Sequence, residues 1–399
     1  MTTGGRRGGI SRVLLVVCDS WGVGDAPDAE AYGDVEADTL GNTARAVGGI
    51  RAPNLERLGL GRTDVIEGVP PAGENGTAAG RLTERSAGKD TTTGHWEIAG
   101  IVLDDPFPTY PEGFPAEIIE PFERAIGREI LGNEPASGTE IIERLGEEQL
   151  RTGKPIVYTS GDTVFQIAAH ASVASLAVLY EWSRAARRLL TGRHRVGRVI
   201  ARPFDGEPGR FVRTPGRRDF SVPPPRPTLL DACRAAGVSV YGVGKIQDIF
   251  AGAGITEGRY SDDNDDGVRL TLSFLRRPGP SLVFTNLVDF DSKYGHRNDV
   301  DGYANCVEAF DARVPEIFRA LGDGGMLFLT GDHGCDPTTP STDHTRERTP
   351  LLVAGARGNG VDLGTRGSFA DLGATVADLL GVEMPDGAAR ESFRDLLEV

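Results

Sequence analysis

The sequence predicts an α/β protein built on a largely parallel sheet flanked by helices. Residues 12–18 (RVLLVVC), 281–288 (SLVFTNLV) and 326–330 (MLFLT) are short apolar runs without polar alternation. That is the pattern of strands covered on both faces. Between the last two lies 301–321, where Val307, Phe310, Val314, Ile317, Phe318 and Leu321 recur at helical spacing. Each strand run ends on acidic residues: Asp19-Ser20, Asp289-Phe290-Asp291, and Gly331-Asp332-His333-Gly334. Alternating strands and helices give such a sheet its parallel connections.

The chain has 399 residues, a length that suits about two domains. Pro-rich stretches at 105–115 (DPFPTYPEGFP) and 222–227 (VPPPRP) mark two junctions. The expected division is a discontinuous core, 1–104 with 223–399, and an inserted α+β cap, 105–222. The net charge of -15 argues against a general binder of nucleic acid or anionic membrane, since both present phosphate. It leaves room for one local basic site. Cys18, Cys233, Cys306 and Cys335 form no C-x-x-C pair, which suits a reducing compartment. The run Val13–Cys18 is too short for a signal-peptide core, and no segment approaches about 18 uninterrupted apolar residues. A cytoplasmic protein without an evident obligate protein partner is expected.

In open α/β sheets the site lies beyond the carboxyl ends of the strands. Asp19, Asp291, Asp332 and His333 should therefore converge. Of the six histidines, His296 follows Asp291 by five residues, His333 adjoins Asp332, and His344 follows His333 by eleven. Taken singly, each Asp could cap a helix and each His could be a polar loop residue. Together they form a set of carboxylates and imidazoles without thiolates, which suits Mn²⁺, Mg²⁺ or Zn²⁺. Two such centres serve in-line phosphoryl transfer. The segment 86–97 (SAGKDTTTGHWE) holds three consecutive threonines. They make either an ordinary turn before a helix or, beside two metals, a hydroxyl that can attack phosphorus.

Only four of the 43 basic residues are lysines, Lys89, Lys154, Lys245 and Lys293. A compact ammonium in a tight site is not freely exchanged for arginine, so at least one is expected on substrate or phosphate. Residues 193–218 hold eight arginines against Asp205 and Glu207, a formal +6. They form either a solvated surface or a grip on a phosphate ester.

These residues carry a resemblance. CDSWGVGDAPDAEAYGDVEADTLGN, GKDTTTGHWEIAG, YTSGDTVFQIAAH, GRVIARPFDGEPGRFVRT, YGVGKIQDIF, TNLVDFDSKYGHRNDVDGY and GDHGCDPTTPSTDHTRE resemble, in order, the phosphopentomutases of the alkaline phosphatase superfamily. The resemblance spans nearly the whole chain and implies an alkaline-phosphatase-like core with an inserted cap. It implies that Thr91 is phosphorylated, with Thr92 and Thr93 supporting it. Asp291, His296 and His344 would hold one Mn²⁺, and Asp19, Asp332 and His333 the other, with Mg²⁺ or another divalent ion as substitute. Activation by a sugar bisphosphate such as glucose 1,6-bisphosphate is implied, because the threonine must first be phosphorylated.

The implied substrate is a pentose phosphate. Arg198, Arg213 and Lys245 would hold its distant phosphate, with Arg202 a weaker candidate. Asp162 would bind ribose hydroxyls, flanked by Ser160 and Val164. His95 is expected to orient rather than ligate, and His170, His194, Cys18 and Cys335 to have no catalytic role. Trp21 departs from the pattern, where a smaller apolar residue is expected. A phosphatase or phosphodiesterase, or a metal-dependent phosphoglycerate mutase, would use the same core. A catalytically dead metal-binding module is the remaining alternative.

Overall fold

The computed structural model describes residues 10–160, 163–322, 324–388 and 391–399. The chain divides into two compact units, Met1–Asp105 with Pro224–Val399, and Pro106–Pro223.

The first unit is built on an eight-stranded sheet. Its centre is Arg12–Cys18, paired in parallel with Ser281–Leu287 on one side and Gly325–Thr330 on the other. All three strands match the apolar runs of the sequence to within one residue. Leu14, Val16 and Cys18 enter one hydrophobic cluster, and the intervening Val13, Leu15 and Val17 are fully buried as well. Both faces are therefore covered, as unbroken apolar runs require.

On one face lies the helix Val300–Leu321, capped by Asp299, whose side chain accepts from the Gly302 amide. Val307, Phe310, Val314, Ile317 and Leu321 are buried along one stripe, with Phe318 at its margin. Trp21 is fully buried there, its ring edge-on to Phe290 and Phe310 at 5.4 and 5.8 Å between centroids. The bulky residue is thus absorbed by aromatic packing.

The sheet departs from parallel at Thr349–Asn359, which runs antiparallel to both Gly325–Thr330 and Asn75–Leu82. This reversal matters for the site. In register, Thr330 faces Leu351, and Leu82 faces Thr349. The start of Thr349–Asn359 and the end of Asn75–Leu82 therefore reach the same sheet edge as Cys18, Leu287 and Thr330.

The second unit carries a six-stranded mixed sheet in the order Leu131–Pro135, Ile156–Thr159, Val164–His170, Arg198–Asp205, Val212–Arg213, with Arg218–Ser221 also on Arg198–Asp205. The helices Ala116–Ile126 and Leu176–Leu189 bury Phe122, Leu179 and Trp182 in its own core with Phe165 and Val199. Among the described residues no helix is long and apolar enough to cross a membrane.

Candidate metal centre and nucleophile

Three adjacent parallel strands end level with one another, so the residues just beyond them meet. Asp19 follows Cys18, whose register partner is Leu287, and the Asp19 amide donates to the Leu287 carbonyl at 3.1 Å. Asp291 lies four residues past Leu287, in one turn of π-helix, Phe290–Tyr294. Such turns are rare and frequent at functional sites. Asp332 and His333 follow Thr330 after the single residue Gly331. The loop between His333 and Thr349 returns His344 to the same edge. The expected convergence is present: ligand-type atoms of Asp19, Asp332 and His333 lie within 4.8 Å of one another, as do those of Asp291, His333 and His344. His296 joins Asp291, with Nε2 3.3 Å from Asp291 Oδ1.

The donor set fits divalent metal. Asp19 Oδ2 accepts from Lys245 Nζ at 2.8 Å and from Asn286 Nδ2 at 3.2 Å, while its buried Oδ1 has no hydrogen-bond partner. Asp332 Oδ1 accepts from the Ser20 amide at 3.1 Å, and its buried Oδ2 is likewise unmatched. Asp291 Oδ1 is a third such atom. Buried oxygens of this kind are costly without a partner, and divalent cations at the two clusters would satisfy all three.

The imidazoles are oriented to match. His333 Nδ1 donates to the Gly334 carbonyl at 3.0 Å and His296 Nδ1 to the Thr342 carbonyl at 2.7 Å. Each Nε2 is thereby turned toward the carboxylates, the arrangement by which outer hydrogen bonds fix a ligand's tautomer. Burial opposes charge on Asp19, but Lys245 and His333 outweigh it and hold the carboxyl well below its ordinary value.

Cys335 also lies within 4.8 Å of Asp291 and His296. Burial and the Asp291 charge push its thiol well up, and Sγ donates to the Asp343 carbonyl.

The backbone around Asp19 is strained. Ser20 has φ +74°, an unusual conformation for a residue with a Cβ. It is pinned by Tyr303, whose hydroxyl donates to the Ser20 carbonyl at 2.9 Å and lies 3.1 Å from Ser20 Oγ. Such strain persists only where surrounding contacts enforce it.

Thr91 begins the helix Thr91–Ile98. Asp90 caps it, accepting from the Thr92 and Thr93 amides at 3.0 and 3.2 Å and from Thr93 Oγ1 at 2.5 Å. Thr93 is thus occupied in the cap, whereas Thr91 Oγ1 stands 3.2 Å from His333 Nε2. Gly94 lets this helix sit against the metal loop, since a Cβ there would fall 2.2 Å from the Asp332 carbonyl oxygen. His95 is fully buried, with Nδ1 2.8 Å from the Thr91 carbonyl and 3.1 Å from Asp332 Oδ2. Its Nδ1 donates to the Thr91 carbonyl, and the ring stands beside Asp332 without satisfying Oδ2.

Lys245 follows the strand Ser239–Val243, which pairs in parallel with Ser281–Leu287. It lies against Asp19 and 3.7 Å from Asp291 Oδ2, among the metal-type carboxylates. Lys89 pairs with Asp34 at 2.9 Å, Lys293 with Asp289 at 3.1 Å, and Lys154 with Glu129 at 2.5 Å.

Within the second unit, Val164 and Arg198 are register partners, and Ser160 directly follows the neighbouring strand Ile156–Thr159. Asp162 lies outside the described residues. Arg213 pairs with Phe204, at the other end of Arg198–Asp205 from Arg198. Arg198 approaches Asp219 at 3.6 Å, and Arg217 binds the same carboxylate at 2.8 Å. Arg202, Arg213 and Arg217 act on Tyr158, whose burial nevertheless pushes its hydroxyl up. Burial also brings the Arg202 guanidinium down to about 10. Other members of the basic run are used structurally: Arg193 pairs with Glu117, and Arg195 and Arg218 lie over aromatic rings. His170 and His194 serve local contacts, with the Gly206 carbonyl and with Tyr110 and Glu117.

Sequence reasoning missed Tyr303, Glu84, Arg346 and Glu347, all buried beside this site. Arg346 and Glu347 lie in the GDHG-to-TRE segment, where only their nearness to His344 signalled anything.

Residues 11–384 match the family model of the metalloenzyme superfamily. A phosphopentomutase of Desulfitobacterium hafniense strain DSM 10664 / DCB-2 is 56% identical over 94% of this chain and 97% of its own. The phosphopentomutase of Caldanaerobacter subterraneus subsp. tengcongensis is 55% identical over 94% and 95%. That of Anaeromyxobacter dehalogenans strain 2CP-C is 56% identical over 95% and 97%. With the metal-type clusters and the threonine helix at one sheet edge, likeness of this extent places the chain in the phosphopentomutase family of the metalloenzyme superfamily.

Proposed function

We propose that the chain interconverts pentose 1-phosphate and pentose 5-phosphate, ribose and 2-deoxyribose alike, through a phosphorylated Thr91. The observation that carries this reading is the Thr91 hydroxyl, 3.2 Å from His333 Nε2, in a protein of this family. Asp291, His296 and His344 hold one divalent ion and Asp19, Asp332 and His333 the other, Mn²⁺ in preference to Mg²⁺. Bound there, the ions supply neutralisation of phosphoryl oxygens and stabilisation of an alkoxide.

Phospho-Thr91 gives its phosphoryl group to the free sugar hydroxyl. The Thr91 Oγ–P bond breaks as the sugar O–P bond forms, and the proton lost by the sugar hydroxyl is balanced by the one the Thr91 oxygen takes up. The product is the 1,5-bisphosphate. Thr91 then takes the other phosphoryl group, leaving the isomeric monophosphate. A sugar bisphosphate such as glucose 1,6-bisphosphate primes the resting threonine. Lys245 offers a cation to a phosphoryl oxygen, and Arg198 and Arg213 bind the non-reacting phosphate. Asp162 binds sugar hydroxyls, with Ser160 and Val164 beside it. Four free thiols support a cytoplasmic location.

The test is conversion of ribose 1-phosphate to ribose 5-phosphate with released phosphate measured in parallel. Isomerised sugar should greatly exceed phosphate. A protein that mainly releases phosphate at saturating substrate is a hydrolase, and the reading fails.

A further inference from the structure

We infer that Arg346 is a positioning residue that ties the backbone ahead of Thr91 to the loop bearing His344. The inference rests on the reading that Thr91 accepts the phosphoryl group. Arg346 is 2% exposed, and all five of its guanidinium donors are used. Nε and Nη2 donate to the two oxygens of Asp28 at 3.1 and 3.0 Å. Nη2 also reaches the Glu84 carbonyl at 2.9 Å, and Nη1 reaches Glu84 Oε2 at 2.6 Å and the Gly88 carbonyl at 2.5 Å.

Gly88 is held at its other end too, its amide donating to the Tyr32 hydroxyl at 3.1 Å. The Tyr32 ring lies under the guanidinium, 5.0 Å from its carbon. One residue on, Lys89 binds Asp34, whose Oδ2 also accepts from the Arg346 amide at 2.8 Å. Gly88 has φ +148°, and a Cβ there would fall 3.0 Å from Thr93 Oγ1. The three residues preceding Thr91 are therefore fixed by the Arg346 fork, by the Asp34 bridge and by the Asp90 cap. Arg346 is two positions from His344. One planar side chain thus sets the distance between the attacking hydroxyl and the loop that carries a metal-type ligand.

Arg346→Lys keeps the charge but cannot span Asp28, Glu84 and Gly88 with one nitrogen. Misplacing an attacking group by about 1 Å costs on the order of 100-fold in rate. The variant should lose kcat on that scale, with KM changed less than about twofold and two equivalents of Mn²⁺ still bound. Arg346→Met combined with Glu84→Gln strands no charge in the interior, because Asp28 is half exposed. It should regain the wild-type Tm while kcat stays low, and amides across 87–93 should exchange faster. A folded double variant, or Arg346→Lys, with near-wild-type kcat overturns the inference. If wild-type protein does not isomerise ribose 1-phosphate, the functional reading fails instead. Amide exchange then decides: faster exchange across 87–93 in the variants sustains the tether, and unchanged exchange overturns it.

Discussion

Thr91, Thr92 and Thr93 are chemically alike, and their surroundings separate them. Thr93 Oγ1 is committed to Asp90, whereas Thr91 Oγ1 faces His333. Thr91→Ala should therefore accept no phosphoryl group from a radiolabelled sugar bisphosphate, yet fold and bind metal. Label retained at the wild-type level would remove Thr91 from the mechanism. Thr93→Ala should still be labelled while losing about 1 kcal/mol of stability with its cap contact. Tyr303 supplies a second residue-scale test. Its hydroxyl satisfies the strained Ser20 carbonyl between Asp19 and the aromatic core. Tyr303→Phe leaves that buried acceptor without its donor and should cost about 1–3 kcal/mol in denaturant unfolding. An unchanged midpoint would mean the strain is held by other contacts.

Strand ends explain why Asp19, Asp291, Asp332 and His333 were legible in the sequence. Apolar runs that stop at an acid identify both the element and its carboxyl end. Arg346 and Tyr303 were not legible, because their roles arise from pairing with Glu84 and Ser20, 262 and 283 positions away. No local period encodes such a contact. Because the acids stand on separate strand ends, Asp19→Ala and Asp291→Ala should each lower bound Mn²⁺, as metal analysis of dialysed protein would show. Full occupancy in both variants would exclude the assignment. The loop from Gly334 to Arg348 is anchored by Glu347, which accepts from Thr345 Oγ1 and from the Thr39 amide and hydroxyl. Burial nonetheless pushes Glu347 from about 4.5 up to about 8. The folded state then keeps a proton that the unfolded chain releases. This contribution to stability is full below about pH 4.5 and is lost as pH rises through about 8. The stability of wild type relative to Glu347→Gln should accordingly fall between about pH 5 and about pH 8 in urea titrations. A difference independent of pH would mean that the three hydrogen bonds keep the carboxylate ionised.

At the scale of the molecule, a mutase differs from a phosphatase in what happens to the intermediate. Each turnover of the proposed cycle leaves Thr91 phosphorylated only if the bisphosphate stays bound long enough to return a phosphoryl group. An intermediate that escapes leaves a bare threonine, which a sugar bisphosphate must prime again. Excluding water and positioning the sugar are therefore as necessary as the metal chemistry. The first unit holds the carboxylates, the imidazoles and Thr91 at one sheet edge. The second unit holds the run 193–218, with eight arginines in a protein of net charge -15, among which Arg198 and Arg213 are the ones proposed for the second phosphate. Asp162 is proposed to bind the sugar hydroxyls, so Asp162→Ala should weaken retention without removing any group that attacks phosphorus. Thr91 in this variant should still take label from glucose 1,6-bisphosphate. Its ratio of released phosphate to isomerised sugar should rise, and more activator should be needed to sustain turnover. Both follow from one cause, since each lost intermediate and each hydrolysed phosphothreonine ends a cycle. Parallel assays of phosphate release, sugar isomerisation and activator dependence measure the three quantities on one preparation. An Asp162→Ala protein with wild-type values for all three would place the sugar contact elsewhere, while leaving the Thr91 chemistry intact.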